Sequence, residues 1–600
     1  MLECAVHVAL AALTVASWLG LGTLVLAPLR PLADRPLSLL NRVGAGAVTF
    51  GLLTFAVALV DGVYRAVYLP AFVAAAAAGI VLAARELRGF ERPRIRTWRG
   101  WELALGALVC GYVVLELIVT CAPISSADAL LHHAAAPELY ARVHEYRELP
   151  WTWNSYQPYM VEMLILDGLL LHGLEQGAFA PLLLGFGSLA AVAGGAHRLL
   201  GRSGAIVAAA VYWAQPFTAW IATSTFVEPG GAFFIALAGW NLIEFARRGS
   251  PTALVLIGVF AGAAAGTKYF AAAAAAVLCV VGAIAVRERL TLRRVAIVAG
   301  TALAVAAPWY VKNAVLTGDP LYPLVRGWPN DDARRAALQS IDNYGFGTSA
   351  ADLVALPFRL LGDAQPFDRG EFMSPLILLF APVALLAPRG RRKIALALAG
   401  SAAFVLMWFF GAQHARFLLP AFPVFAVVAA VGILAFAEAG RLARLVTVAV
   451  CSGALLAGLG ITLVYSAQFV PVAFGLENRE HFLRENTPYY DGLEWLNGHE
   501  PDAKGVLLDH VLVLYANAPA VAWTADALPS SATPRELREF VRRNRITHAE
   551  VFAASRDKRR LLEAIGARRI GRVTVHDVRS RTLSELGPPQ TMIVYELPKV

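Results

Sequence analysis

Long apolar runs, broken at short intervals by clusters of arginine and lysine, dominate the first 465 residues of the chain. A helix needs about 20 predominantly apolar residues to cross a bilayer. Runs of that kind occupy 5–27, 43–61, 66–84, 101–121, 178–199, 203–222, 229–247, 251–267, 269–287, 294–314, 373–388, 393–411, 416–437 and 443–465. They predict a polytopic membrane helix bundle of about 13–14 spans. The first run reads as a span rather than a cleaved leader, because Met1 to Cys4 hold no basic residue and the apolar stretch is too long.

Lysine and arginine in short loops mark the cytoplasmic side. The basic loops are 30–42, 85–99, 197–204, 246–250, 287–294, 387–393 and 438–444. All fall on one side if the run 158–174 does not cross. That run carries Glu162, Asp167 and His172, so it is predicted to lie as a helix in the outer interface. The N-terminus, loops 122–177 and 315–372, and the tail then lie outside.

Past Gln468 the charge density rises. Residues 505–515, 548–553, 572–578 and 591–597 read as strands, and 534–545 and 556–569 as helices. Their alternation predicts a small extracytoplasmic α/β domain, without a glycine-rich phosphate loop. The expected organisation is 1–121, N-terminal spans; 122–177, a large outer loop; 178–465, the main bundle with outer loop 315–372; and 466–600, the α/β tail.

Composition supports a membrane protein. The chain of 600 residues is 58% hydrophobic and 16% charged, with a mean hydropathy of +0.58. Soluble domains run near 45–50% and about 25%. Disordered, collagen-like and coiled-coil classes fail on the same figures. The net charge of +9 belongs to cytoplasmic loops rather than to a nucleic-acid surface. Cys4, Cys110, Cys121, Cys279 and Cys451 lie in or beside apolar runs with no CxxC spacing. Neither a disulfide framework nor a thiolate metal site is expected from them.

The candidate chemistry gathers in the outer loops. Asp128 follows Ser125 and Ser126. If a helix starts there, a serine caps it, Asp128 lies in its first turn and His132 falls on the same face. A carboxylate beside imidazoles at the lipid–water boundary can take a proton from a hydroxyl; it can equally just complete a helix start. Lys268 sits among apolar and small residues, where an unpaired ammonium costs ~2.5–3.5 kcal/mol or more. Its partner is either a lipid phosphate or, by snorkelling, the outer headgroups. Glu228 is placed just outside a span, where it could bind a metal, meet the acceptor, orient Asp128 or start the next helix. Arg416, beside His414, can grip a phosphate in two places. Lys312, Asn313 and Asp319 open the second outer loop. Trp151, Trp153, Tyr156 and Tyr159 could stack on sugar faces, but read more readily as interfacial anchors. His132, His133, His144 and His172 make no firm metal motif.

The runs DALLHHAAAPELY (128–140) and WNSYQPYMVEM (153–163) resemble the first outer loop of bacterial multispanning glycosyltransferases of the GT-C superfamily. These are related to protein O-mannosyltransferases and to the lipid A aminoarabinose transferase. The chain keeps Asp128, Ala129, Leu130, His133, Pro137, Pro158, Glu162 and Met163 of the family pattern. It departs at His132 and Ala134, where Tyr and Leu are usual. GTKY (266–269), KNAVLTGDPLYP (312–323) and ARFLLPAFP (415–423) follow in order, with Lys312 and Asp319 as departures. The resemblance implies an enzyme that moves a hexose or pentose from a polyprenyl-phosphate donor to an extracytoplasmic glycan, lipid or protein acceptor, with inversion. It implies Asp128 as general base and Glu228 as a second acid. Donor or phosphate contacts fall to Lys268, Tyr269, Arg416, His133, Glu162, Lys312 and Asn313. It implies the bacterial inner membrane as location, and no certain cofactor, with a divalent cation left open. The alternative is a transporter or flippase of lipid-linked sugars. Transporters favour charges at the midplane and repeated halves; here charges gather at the outer face and no repeat is visible.

Overall fold

The computed structural model describes residues 1–88, 98–149, 151–324, 344–362, 373–387, 390–524, 527–529, 531–580 and 585–598. The expected loops 85–99, 315–372 and 387–393 therefore lie partly outside the described residues. Among the described residues, nine helices are long and apolar enough to cross a membrane, or ten if the bent pair Pro216–Thr223 and Glu228–Arg248 is one span. The chain is an integral membrane protein with a mainly helical fold. The sequence count is higher because three predicted spans are shorter apolar helices, Pro251–Ala265, Tyr269–Ala285 and Leu376–Leu386, and because Leu174–Trp213, counted once, takes in two predicted spans.

Helices α1 (Leu2–Leu26), α2 (Arg35–Ala58) and α3 (Arg65–Arg88) pack through small residues. A Cβ on Gly46 would come within 1.8 Å of the Trp18 carbonyl, and one on Gly79 within 1.7 Å of that of Ala16. Such close backbone approach is the main source of helix adhesion in lipid, where apolar side chains gain nothing by leaving the bilayer. α4 spans Gly100–Val119. α7 (Leu174–Trp213) is two antiparallel helices joined at Gly201, whose φ of 73° favours glycine. The Ser188 and Tyr212 hydroxyls meet across the hairpin at 2.7 Å. This is the predicted pair of spans either side of loop 197–204. α8 (Pro216–Thr223) and α9 (Glu228–Arg248) follow. Asn41 and Asn241 exchange side-chain hydrogen bonds of 2.8 and 3.0 Å, tying α2 to α9 inside the bundle.

Two expectations are corrected. The run 158–174 forms a short helix, α6 (Met160–His172), but not one lying on a surface. Its residues from Met160 to Gly168 are all buried. Asp167 accepts a 2.6 Å hydrogen bond from Thr54 of α2, and Gly168 packs against the backbone of α7. Of the polar residues that suggested an interface, Glu162 and Asp167 are buried inside the bundle with one partner each, and His172 at the helix end is exposed. The second correction is Cys4–Cys121, which forms a disulfide with a Cα separation of 5.4 Å. The helix packing brings together the start of α1 and the end of α4, 117 residues apart, a proximity that spacing alone cannot reveal.

The tail holds a five-stranded sheet in the order β2-β1-β3-β7-β4. Its strands are β1 (Val506–Leu508), β2 (Ala520–Ala522), β3 (His548–Phe552), β4 (Arg568–Val575) and β7 (Gln590–Glu596); a separate pair, β5 (Val578–Ser580) and β6 (Glu585–Leu586), follows β4. β1 pairs in parallel with β2 and β3, whereas β7 is antiparallel to β3 and β4. The predicted strand 505–515 stops at Leu508. The Asp509 carboxylate there accepts the Phe552 amide and pairs with Lys558, which ends the ladder. The chain beyond docks on the outer loop. The Val513 amide donates to the Leu130 carbonyl at 3.1 Å, the Tyr515 hydroxyl to Ile124 at 2.7 Å, and the Thr524 hydroxyl to Trp151 at 3.0 Å. The tail thus grips the loop on both sides of Asp128.

Glu550 of β3 gives this domain a measurable pH signature. It is fully buried, and neither carboxyl oxygen has a hydrogen-bond partner among the described residues. Burial pushes its pKa from 4.5 up to about 8. The folded tail keeps a proton that the unfolded chain releases, so stability falls as pH rises from about 4.5 to 8, by ~1.4 kcal/mol per unit. His510 acts oppositely: burial lowers its pKa from 6.5 to about 3, so stability also falls as pH drops below 6.5. Hydrogen exchange of β3 and β7 amides, corrected for intrinsic rates, is expected to show strongest protection between these limits. The alkaline slope should vanish in Glu550→Gln. A slope that survives the substitution would contradict the assignment.

Candidate functional site

The site is built where three breaks in the helical bundle meet. After α4 the chain makes one wide turn, Ala129–His133, entered from Asp128. A helical segment starts after Ser126 as predicted, with the Leu130 amide donating to the Ser126 carbonyl at 3.0 Å and Asp128 in its first turn, but the predicted serine cap does not form. Asp128 makes no capping hydrogen bond, and Ser126 donates its hydroxyl to the Ser224 carbonyl instead of to a helix end. The Asp128 carboxylate is left to face the bundle. The second break separates α8 from α9, which meet at 114°. Thr225 there has φ 58°, rare for a β-branched residue. Glu228 opens α9 with Pro229 behind it. The third break, at Gly266 to Lys268, separates α10 (Pro251–Ala265) from α11 (Tyr269–Ala285). Arg416 comes from a short helical turn, Ala415–Ala421.

These segments place four charges in an alternating chain. The Lys268 Nζ donates to Glu228 Oε1 at 2.8 Å. Arg416 Nε lies 3.8 Å from the same oxygen, and its Nη2 lies 2.5 Å from Asp128 Oδ2. The Lys268, Glu228 and Arg416 side chains are 9%, 2% and 7% exposed, while Asp128 keeps 27%. Phe417 flanks both cations, at 4.8 Å from Lys268 Nζ and 5.4 Å from the Arg416 guanidinium. Phe226 lies 4.6 Å from Arg416. Aromatic faces of this kind hold the cations without consuming their donors. Partial burial would raise the Asp128 pKa, but the Arg416 guanidinium prevails and holds the carboxyl well below its usual range.

Behind Asp128 stand two neutral imidazoles. Burial lowers the His132 pKa to about 3 and puts His133 well below its ordinary value. His133 Nδ1 is 2.8 Å from Glu162 Oε1. Among the described residues, His132 Nδ1 and His133 Nε2 are buried without a hydrogen-bond partner. Ligand atoms of Asp128, His132 and His133 lie within 4.8 Å of one another. One carboxylate and two neutral imidazoles, one oriented by a further carboxylate, are a donor set that suits a divalent cation.

Lys312, Asn313 and Tyr269 form an adjoining group. The Lys312 ammonium donates to the Ser155 and Gln157 carbonyls at 3.0 and 2.8 Å and lies 5.0 Å from the Tyr159 ring. Its donors fasten the 150s loop rather than reaching toward a ligand. Asn313 donates to the Tyr269 hydroxyl at 3.2 Å, and that hydroxyl donates to the Tyr322 carbonyl at 2.8 Å. Asp319 caps its own turn through the Leu321 amide. Trp151, Tyr156 and Tyr159 are buried, so they pack this loop and are not interfacial anchors. The structure thus brings together Asp128, Glu228, Lys268, Arg416, His133 and Glu162, with Tyr269, Lys312 and Asn313 behind them. Sequence reasoning passed over Phe226, Phe417 and Ser224. The only signal for them was their place beside breaks in apolar runs.

The fold around this site is a known one. The chain aligns with the apo structure of ArnT from Cupriavidus metallidurans at a TM-score of 0.53 and 15% identity, over 82% of this chain and 98% of that one. The same protein bound to undecaprenyl phosphate gives 0.51 and 16%, over 83% and 98%. The oligosaccharyltransferase of Archaeoglobus fulgidus aligns at 0.41 and 11%, over 75% and 69%. No protein-family model matches the sequence, and no curated protein does. The fold is the GT-C fold of polytopic membrane glycosyltransferases. At these identities the likeness is one of fold.

Proposed function

We propose that this protein is a glycosyltransferase that moves a sugar from a polyprenyl-phosphate carrier to a hydroxyl-bearing acceptor outside the cytoplasm. The observation that carries this reading is the chain Lys268–Glu228–Arg416–Asp128. Its two cations stand beside a carboxylate that retains solvent access. A lipid phosphate entering the group competes for Lys268 and Arg416, and charge-assisted contacts of this kind are the strong ones. As Arg416 turns to the phosphate, Asp128 loses the charge that holds its pKa down. Its proton affinity then rises at the moment a donor is present. The acceptor oxygen attacks the anomeric carbon, the bond from that carbon to the phosphate oxygen breaks, and the acceptor proton passes to Asp128. The polyprenyl phosphate leaves against Lys268 and Arg416. One displacement inverts the anomeric centre. Glu228 holds both cations in register.

Asp128, His132 and His133 are the residues that would hold a divalent cation. Bound there, it would supply Lewis-acid charge beside the departing phosphate.

The ArnT relative of the same fold holds undecaprenyl phosphate, which supports a polyprenyl-phosphate donor here. The Cys4–Cys121 disulfide supports an oxidising compartment for the N-terminus and the end of α4. That agrees with basic loops facing the cytoplasm of a bacterial inner membrane. Mass spectrometry of envelope glycans from cells with and without the gene tests the reading. A sugar residue missing without the gene is expected. Identical glycans in both would contradict it.

A further inference from the structure

Residues 534–572 of the tail carry twelve arginines and lysines against five acids. Much of the net charge of +9 therefore lies apart from the loops that the basic-residue rule assigns to the cytoplasm. The fold gathers this charge on one face of the sheet. The helices Pro534–Arg543 and Arg556–Ala564 lie side by side, with the Arg538 guanidinium donating to the Ala564 carbonyl at 3.3 Å. Arg559 of the second helix reaches Tyr595 of β7. Tyr595 stands opposite Arg569 of β4, and Ile593 opposite Arg572. Residues 593 and 595 share a face, since side chains alternate along a strand. The other face belongs to helix Tyr490–His499, because Glu550 touches Gly492 there and pairs with Val594. By that helix the tail joins the bundle. Its Tyr490 ring lies 5.8 Å from that of Tyr515, whose hydroxyl binds the outer loop at Ile124. The arginines thus face away from the attachment.

Arg542, Arg543, Arg545, Arg569 and Arg572 are exposed, and among the described residues none of them makes an ion pair. The acids nearby are engaged elsewhere: Glu536 caps the first helix at Thr533, Glu539 pairs with Arg535, and Asp557 lies 3.9 Å from Arg560. Unpaired like charges held together repel one another in the folded state, so such a face gains by meeting opposite charge. Among the described residues, no large apolar side chain is exposed between 512 and 585.

We infer that this face docks an anionic glycan, whose phosphate or carboxylate groups the arginines hold. The inference rests on the transferase reading above, which puts the tail outside the cytoplasm and among the polymers of the envelope. The planar guanidinium fork matches phosphate and carboxylate in two places at once. A protein partner would call for aromatic or aliphatic anchors at the centre of the contact, and the face offers none. A helix that lies on a membrane turns large apolar side chains toward the lipid; here Leu537 and Val541 are buried against the sheet, and the arginines point away from the bundle. A flexible polyanion needs only the charge. At Arg560 the face runs into an open cleft of about 960 Å³, its mouth included, whose edge at Thr524 is fastened to the outer loop at Trp151. A glycan docked on the arginines is thereby kept beside the loop that carries Asp128.

The test uses the full chain in phosphatidylcholine nanodiscs, at low and at high salt. Fluorescently labelled phosphomannan and polygalacturonate, which carry phosphate and carboxylate respectively, are compared with neutral dextran and with phosphatidylglycerol vesicles. Arg542→Gln/Arg543→Gln/Arg569→Gln removes three charges of the face. Arg293→Gln/Arg392→Gln/Lys393→Gln removes three from the basic loops and controls for overall charge. The expected result is binding of one or both anionic glycans and none of dextran. Binding should weaken at least about tenfold in the tail variant, because each arginine near an anionic surface contributes to it. It should hold in the control and be lost as salt screens the charges. Equal losses in the two variants, or no glycan binding at all, would overturn the face. Vesicle binding that depends on the face, without glycan binding, would overturn the glycan in favour of a membrane surface. Thermal unfolding shows whether the tail variant folds; if it does not, Arg543→Gln/Arg545→Gln at the helix end replaces it in the same comparison. Failure of the wild-type chain to bind undecaprenyl phosphate would count against the transferase reading, separately from any of these.

Discussion

Asp128→Asn is expected to slow sugar transfer about 10²–10⁴-fold while leaving the protein folded and donor affinity within a few fold. Asparagine keeps the size and can still accept a hydrogen bond from Arg416, but it cannot take the acceptor's proton. Arg416 remains near Glu228, at 3.8 Å, so no cation is stranded. The measurement is single-turnover transfer from a polyprenyl-phosphate sugar, with donor affinity determined in parallel. Wild-type rates in Asp128→Asn would remove the base assignment. A loss confined to donor affinity would make Asp128 a binding group only.

Lys268→Ala is expected to cost both fold and function. The ammonium and Glu228 are buried together at 2.8 Å. Deleting one partner of a buried pair leaves an uncompensated charge and costs ~3–5 kcal/mol. The second contact of Glu228, with Arg416, places the expected loss at the lower end. The double variant Lys268→Met/Glu228→Gln removes both charges and should recover most of the stability, because neither partner is stranded. It should not recover transfer, because the phosphate has lost a cation. Thermal unfolding and donor binding of Lys268→Met, Glu228→Gln and the double variant form the cycle. Equal stability of Lys268→Met and the double variant would show that the pair is not coupled. Full activity in the double variant would remove Lys268 from the donor site.

Much of the bundle was legible because lipid imposes length and polarity on every spanning segment. Loop 197–204 marked the turn of the α7 hairpin, and Gly201 sits at its centre. The apolar run 251–287 was readable as two spans broken at Gly266, where Lys268 stands. Legibility failed where polar residues find partners far along the chain. Asp167 and Glu162 signalled an interface helix, yet Thr54 and His133 partner them inside the bundle. Cys4 and Cys121 looked like isolated thiols because their proximity exists only after α1 and α4 pack. Lys312 looked like a phosphate ligand, and the carbonyls that claim it come from a loop more than 150 residues earlier.

The candidate site shows the same division. Asp128, Glu228, Lys268 and Arg416 stood out individually, each as a charge where lipid makes charge costly. Their order in space did not. Nothing in the spacing shows that Arg416 lies between two carboxylates, or that His132, a departure from the family pattern, completes a set of three ligand atoms. The tail's role was likewise hidden. Its strands were readable, but the grip of Val513, Tyr515 and Thr524 on the outer loop depends on docking.

The central claim is that this protein transfers sugar from a polyprenyl phosphate. The most direct test supplies the purified chain in nanodiscs with polyprenyl phosphate carrying a radiolabelled sugar, together with glycan, lipid and peptide acceptors that carry hydroxyls. The account predicts label moving into the acceptor with stoichiometric release of polyprenyl phosphate, in the wild type and not in Asp128→Asn. Label that stays on its carrier and merely appears on the opposite face of the membrane would contradict it, and would make the protein a flippase.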